Sequence, residues 1–521
     1  MSGVLVVYVR GLTERPEVSA PLLEKIREQE GLAAEDTWLY PKPVRPLTRG
    51  RLAGHALLLS ESIQRYWERR GSPGRIILIG HSIGGLLVRY AYLQALGSLG
   101  GNSRSWARHL SRIVMLATPN RGWDGNRLGW WGRRLSWLAV PLTRGFAVRD
   151  ALRGSAFMTA LRLEWLRRVG ALGDDAPLVV QVRSGQDALV EPEDSRDVEV
   201  LSTGVQLVLP GANHADAPCV EGPGETYPGE RWDVLKLAVL GEVGSTAPEA
   251  LSAEEQRFTS VVFVLHGIRA GNDGWVDQLR DQFDGDETVR VETGSYGRFS
   301  AYNFALPITR RRTLDWFLDQ YSYVLARHPG LPFHFVGHSN GTYMLGQALK
   351  YVTPIKFDRV YLAGSVLPPA FDWLACADRK QVGRLVNVCA GKDAPVAWLC
   401  SGLRGFGMKD VGVGGFTGFL RLPAGSQQFR YLPGGHGEAL VSSRLPAVAS
   451  FVLTGQSVAP EGLVESPGGM FGLVSRAAPG LALALAAAWS GVAIWLVLLS
   501  PLLLAGLAVF TVLVLLVLMV V

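Results

Sequence analysis

Two serines in this chain occupy the same five-residue setting, Gly80-His81-Ser82-Ile83-Gly84 and Gly337-His338-Ser339-Asn340-Gly341. Glycines two residues to either side let the backbone turn sharply from a strand into a helix, which lifts a serine hydroxyl clear of the sheet. A serine at neutral pH is a weak nucleophile, so it needs an adjacent base held by a third group. Each serine is followed along the chain by an aspartate and then a histidine: Asp187 and His214 after Ser82, Asp393 and His436 after Ser339. The chemistry these residues support is acyl transfer through a serine-bound intermediate. Its oxyanion would be met by the backbone N–H after the nucleophile, Ile83 or Asn340. A second N–H would come from the loop after the first strand, near Leu12 or Ile268. Such donors typically account for ~10²–10³ in rate each.

Elements of the right kind surround both serines. An apolar run ends in a glycine turn, VLVVYVRGL in the first half and VVFVLHGIR in the second. A helix-like stretch and a second apolar strand then lead into the serine. A helix-like run, another strand, a strand ending in Gly-x-Asp and a short strand ending near a histidine follow. Strands rich in Val, Ile and Leu that alternate with helical patterns predict a mostly parallel sheet flanked by helices. The glycine-to-serine separations nearly agree, at 71 residues from Gly11 to Ser82 and 72 from Gly267 to Ser339. The serine-to-aspartate separations do not: 105 residues in the first half and 54 in the second. The surplus matches a stretch at about 121–171, which reads as an insertion that caps the first site.

With these residues in view, both halves resemble the α/β-hydrolase superfamily, in which the triad runs Ser, Asp, His along the chain. The first half is similar to lipase and serine esterase members through GHSIGGLLVRYAY and MLATPNRG. One departure stands out: Arg10-Gly11 replaces the His-Gly that usually follows the first strand of lipases and that the second half has at His266-Gly267. The resemblance implies two tandem α/β-hydrolase domains, at 1–240 and 257–454, joined by a linker at 241–256. It also implies a serine hydrolase for carboxylic esters of lipid or other apolar acyl groups, needing no cofactor or metal. A thioesterase, amidase or peptidase on the same scaffold is the alternative among enzymes. A membrane-tethered binding or scaffold protein with retired hydrolase domains is the alternative from another class.

Two basic or apolar regions bear on location. Residues 121–168 carry ten arginines, no lysine and only three acidic residues, together with Trp123, Trp130, Trp131, Trp137 and Trp165. That composition fits an interfacial surface with indoles at headgroup depth, or an ordinary lid with its tryptophans turned inward. From Ala477 to Val521 there is no charged residue. After a linker at 455–479, residues 480–521 are long enough for a transmembrane anchor, either one kinked span or a hairpin broken at Ser500-Pro501. The N-terminus lacks the pattern of a secretory signal, and Arg476 flanks the apolar region, so the domains are expected on the cytosolic side. A net charge of +6 without a recognition motif argues against nucleic acid as a partner. Four scattered cysteines predict neither a zinc site nor a disulfide framework.

Overall fold

The computed structural model describes the chain apart from residues 1–2, 124–146, 188–203, 244–254, 269–273, 284–287, 295–298, 500–510 and 512–521. The central part of the expected cap, most of the first linker and the apolar stretch Pro501–Val521, except Thr511, lie outside the described residues. The chain divides into two compact units, one of Met1–Ala250 with Leu318–Pro329, the other of Leu251–Phe317 with Gly330–Val521. The segment Leu318–Pro329, which lies within 257–454 along the chain, groups with the first unit.

In the first unit six strands, β1 (Val4–Val9), β2 (Thr37–Leu39), β3 (Arg75–His81), β4 (Leu110–Leu116), β5 (Leu178–Ser184) and β6 (Gly204–Leu209), form one sheet. Their order is β2-β1-β3-β4-β5-β6, and every pairing is parallel. The continuous apolar runs follow from burial on both faces. Along β1, Leu5, Val7 and Val9 enter a core shared with the helices Leu52–Arg69, Ile83–Ala95 and Ala156–Val169. Val6 and Tyr8, on alternate positions, enter the opposite core with the helices Pro16–Glu30 and Glu230–Val239.

The second unit repeats that order in β8 (Val289–Glu292), β7 (Ser260–Leu265), β9 (Phe333–His338), β10 (Phe357–Ala363), β11 (Val382–Ala390) and β12 (Gln427–Leu432), again all parallel. In each sheet the chain steps from the first strand to one side and returns on the other. The carboxyl ends of β1 and β3, and of β7 and β9, are therefore neighbours at a topological switch point, where crevices form in such sheets.

Between β4 and β5 the chain makes a long excursion that includes Ala156–Val169. The corresponding excursion between β10 and β11 holds only the short helix Trp373–Asp378. The extra length of the first unit thus lies between β4 and β5, and part of it packs inward. Trp165 and Arg162 are buried, at 1% and 3% exposure. The Trp165 ring lies 4.6 Å beneath the Arg89 guanidinium, and Phe157 stacks on Tyr90.

At the C-terminus, Gly469–Leu499 forms one helix that continues through Pro479. It begins inside the segment expected to be linker through 479. Residues Gly469–Trp495 are long and apolar enough to cross a membrane, and little of this stretch is buried.

Candidate functional site

Ser82 closes β3 and starts the helix Ile83–Ala95 with φ 51° and ψ −123°, a conformation non-glycine residues rarely adopt. The turn is held by the Ser82 N–H donating to the Leu116 carbonyl at 2.8 Å and the Gly85 N–H donating to the Ser82 carbonyl at 3.0 Å. Gly11, just past β1, crosses directly over it. A Cβ there would stand 2.7 Å from His81 Nδ1 and 3.2 Å from Ser82 Cβ, so only glycine fits.

Asp187 follows β5, and His214 lies in the loop after β6. The two loops are tied to each other by Gly185 N–H to the Leu209 carbonyl and Gln186 N–H to the Ala212 carbonyl. The His214 loop is also clamped from below. Arg231, fully buried, donates to the Pro210 and Pro223 carbonyls and lies 3.7 Å from Asp216.

The result is an unbroken succession. His214 Nδ1 lies 2.9 Å from Asp187 Oδ2, and His214 Nε2 lies 2.8 Å from Ser82 Oγ. A carboxylate only accepts, so Nδ1 carries the proton. The Nε2 lone pair is then left for the serine hydroxyl. Ile83 is the first helical residue, so its N–H has no carbonyl a turn earlier within the helix.

His81 is not a base candidate, because its ring is committed behind the site. Nε2 donates to the His214 carbonyl at 2.8 Å, and Nδ1 lies 2.7 Å from Glu14 Oε2. The same Glu14 oxygen accepts the Gly11 N–H at 2.8 Å. Burial opposes charge on Glu14, but the hydrogen bond and positive field of His81, with the Gly11 N–H, outweigh it and hold the carboxyl below its ordinary value. Glu14 escaped the sequence reading, because three residues past a glycine turn it looks like any polar loop residue.

The second unit builds a similar turn with one link missing. Ser339 has φ 50° and ψ −116°, and its N–H donates to the Ala363 carbonyl at 3.1 Å. Gly267 passes over it as Gly11 does over Ser82, a Cβ there falling 2.8 Å from Ser339 Cβ. Asp393, fully buried after β11, accepts the Val396 N–H, and both its oxygens lie 2.9 Å from His436 Nδ1. His436 Nε2, however, is buried without a hydrogen-bond partner, so Ser339 and His436 are brought to one sheet edge but not joined.

Behind the ring, His338 Nε2 donates to the His436 carbonyl at 3.1 Å, while His338 Nδ1 is buried and unpaired. Burial first, and then the neighbouring His436, push His338 down to about 3. Ile268 and Asn340 occupy the loop after β7 and the first helical position after Ser339, the places that match Leu12 and Ile83.

The four cysteines are free thiols, and burial raises Cys389 to about 12. Among the described residues no group of three or more His, Cys, Asp or Glu side chains could share a metal ion.

No family model matches this chain, and no curated protein matches it. Solved structures similar to it include phospholipase PlaB from Legionella pneumophila, in complex with thio-NAD, at 17% identity and a TM-score of 0.27. That match covers 35% of this chain and 38% of the phospholipase, so the chain spans less than two fifths of that protein's length. The mature Bacillus licheniformis lipase BlEst2 is 15% identical over 42% of this chain and 87% of its own, with a TM-score of 0.28. A Paleococcus ferrophilus monoacylglycerol lipase is 16% identical over 41% and 88%, with a TM-score of 0.27. By its own parallel sheets, its serine turns at the switch points and the succession Ser, Asp, His along the chain, this protein has an α/β-hydrolase fold.

Proposed function

We propose that the chain is a membrane-anchored serine hydrolase that cleaves carboxylic esters with apolar acyl groups, its first unit carrying the principal activity. The continuous hydrogen-bonded succession Asp187–His214–Ser82 carries this reading. In the proposed reaction Ser82 Oγ attacks the ester carbonyl as His214 Nε2 takes its proton. Asp187 fixes the ring and balances the imidazolium. The backbone N–H groups of Ile83 and Leu12 would meet the oxyanion. Collapse of the intermediate breaks the ester C–O bond, and His214 returns the proton to the departing alkoxide. Water, deprotonated by the same histidine, then releases the acid and restores the serine. Ser339, Asp393 and His436, with Ile268 and Asn340, would form a second site of the same kind, the two units being products of an internal duplication.

An uncharged helical run from Ala477 to Leu499, about 34 Å at 1.5 Å per residue, supports the anchor reading, since a hydrocarbon core is about 30 Å thick. With Arg476 on the near side, both units are assigned to the cytosolic face.

Labelling with a fluorophosphonate tests the chemistry. Ser82→Ala should abolish rapid labelling of the first unit with the fold intact. Ser339→Ala should remove a slower signal. Equal labelling after removal of Ser82 would refute the assignment, and an ester, thioester and amide panel on each variant separates the substrate classes.

A further inference from the structure

The C-terminal helix is not hung from a free linker. Val464 exchanges two backbone hydrogen bonds with Tyr431 at the end of β12, at 3.0 and 2.8 Å, and Leu463 packs on the core. Within the helix, Phe471 stacks on Trp398 with ring centroids 5.0 Å apart, and Ser475 Oγ lies 3.2 Å from Ser401 Oγ. Gly405 approaches so closely that a Cβ would stand 2.5 Å from the Pro479 carbonyl oxygen. The first turns of the helix are therefore seated on Pro395–Gly405 of the second unit, while Leu481, Leu485 and Ile494 further along are exposed.

The charges around that seat are arranged in a pattern. Arg476 is exposed, and no charged residue follows it. Beside Pro479 the chain runs Arg404-Gly405-Phe406-Gly407-Met408-Lys409, with Arg404 and Lys409 exposed and Phe406 51% exposed. The adjacent Asp410 does not neutralise this group, because it is occupied by Arg310 at 3.1 Å and by the Tyr343 hydroxyl at 2.8 Å. Three cations and an exposed aromatic ring thus lie on two segments that meet, through Ser475 with Ser401 and Pro479 with Gly405, where the uncharged helix begins. Acyl boundaries take aromatic rings and anionic headgroups take arginine and lysine, and that is the chemistry present here.

We propose that Arg404–Lys409, together with Arg476, is a membrane-contact surface, with Phe406 entering the bilayer interface and the three cations binding anionic phospholipid headgroups. The proposal rests on the anchor reading above, and it gives the second unit a bilayer contact of its own. It would hold the chain that follows Asp393 against the membrane.

Full-length protein in phosphatidylcholine vesicles, with or without phosphatidylglycerol, provides the test. In a Cys219→Ser background, an environment-sensitive dye is placed at Phe406→Cys, Leu485→Cys or Tyr351→Cys, and quenching by spin-labelled lipid is read. Dye at 485 should be quenched in every vesicle, dye at 351 in none, and dye at 406 most strongly with phosphatidylglycerol. Changing Arg404, Lys409 or Arg476 to Gln should raise the anionic lipid needed for half-maximal quenching at 406 about fivefold per cation removed. If 406 behaves like 351 while 485 is quenched, the contact surface is refuted and the anchor stands. If 485 is also unquenched, the anchor itself fails. Dye at 406 that is shielded from water but untouched by spin-labelled lipid would assign the surface to a protein partner and overturn the proposal.

Discussion

The two histidines that precede the serines have the same neighbour in front and different neighbours behind. His81 and His338 both donate to the backbone carbonyl of the histidine that closes their site. Behind His81 stands Glu14, which also holds the Gly11 N–H beside the proposed oxyanion donor Leu12. Removing that carboxyl should loosen two parts of the site at once. Glu14→Ala is expected to lower kcat about tenfold with little change in KM, in line with a charge-assisted hydrogen bond worth ~1.5–3 kcal/mol. Glu14→Gln keeps an acceptor oxygen and should recover most of the loss. Equal kcat for Glu14→Ala and the parent protein would show that the pair positions nothing.

The same contrast sets an order of acid sensitivity. His338 is lowered to about 3 by burial and by His436 and His266, and His334 to about 4 by burial and Arg359. A histidine whose folded value lies below its ordinary 6.5 contributes stability that is intact above 6.5 and is lost as pH falls toward the folded value. Glu14 is also lowered, but from a carboxylate value, so its contribution survives until the pH falls through that lower range. Hydrogen exchange should therefore find β9 and its neighbours opening below about pH 6.5, while β3 stays protected until the carboxylate range. Simultaneous loss of protection would contradict this.

At the scale of elements, the sheets were legible because buried parallel strands are continuous apolar runs, and the serine turns because a crossing backbone leaves room only for glycine. Gly11 against Ser82 shows the link between spelling and contact. What the sequence concealed was direction. Ten arginines and five tryptophans around the insertion describe a membrane surface or a packed lid equally well, since composition does not say which way a side chain points. Arg162 and Trp165 point inward, where the guanidinium stem and the indole are packing material. The missing link between Ser339 and His436 was equally hidden, because residue types fix a triad's members and not their separation. Trp165→Ala should cost ~3–5 kcal/mol of stability in denaturant unfolding of the first unit. It should leave vesicle binding by the full chain unchanged. Reduced vesicle binding in a fully folded variant would return this helix to the membrane surface.

For the whole molecule, residues 455–479 read as a linker, yet Leu463 and Val464 are built into the second unit. The helix that follows is longer than a bilayer requires. Gly469–Trp495 is 27 residues, about 40 Å at 1.5 Å each, against a hydrocarbon core of about 30 Å. In the proposed anchor the first two turns are surplus to spanning, and they carry Phe471 and Ser475 onto Trp398 and Ser401. Insertion and this part of the docking, the Pro479 contact with Gly405 aside, then draw on different residues and should separate under mutation. Phe471→Ala with Ser475→Ala removes the stacked pair and the hydroxyl contact without touching the uncharged run. Membrane recovery should be unchanged, because the hydropathy of Ala477–Leu499 is intact. Hydrogen exchange across Pro395–Gly405 should rise at least about tenfold, and labelling of Ser339 should fall, since Asp393 leads directly into the loosened segment. Labelling of Ser82 should not move. Loss of membrane recovery in this variant would mean that docking and insertion are one event, and unchanged exchange at 395–405 would mean that the helix does not brace the second unit.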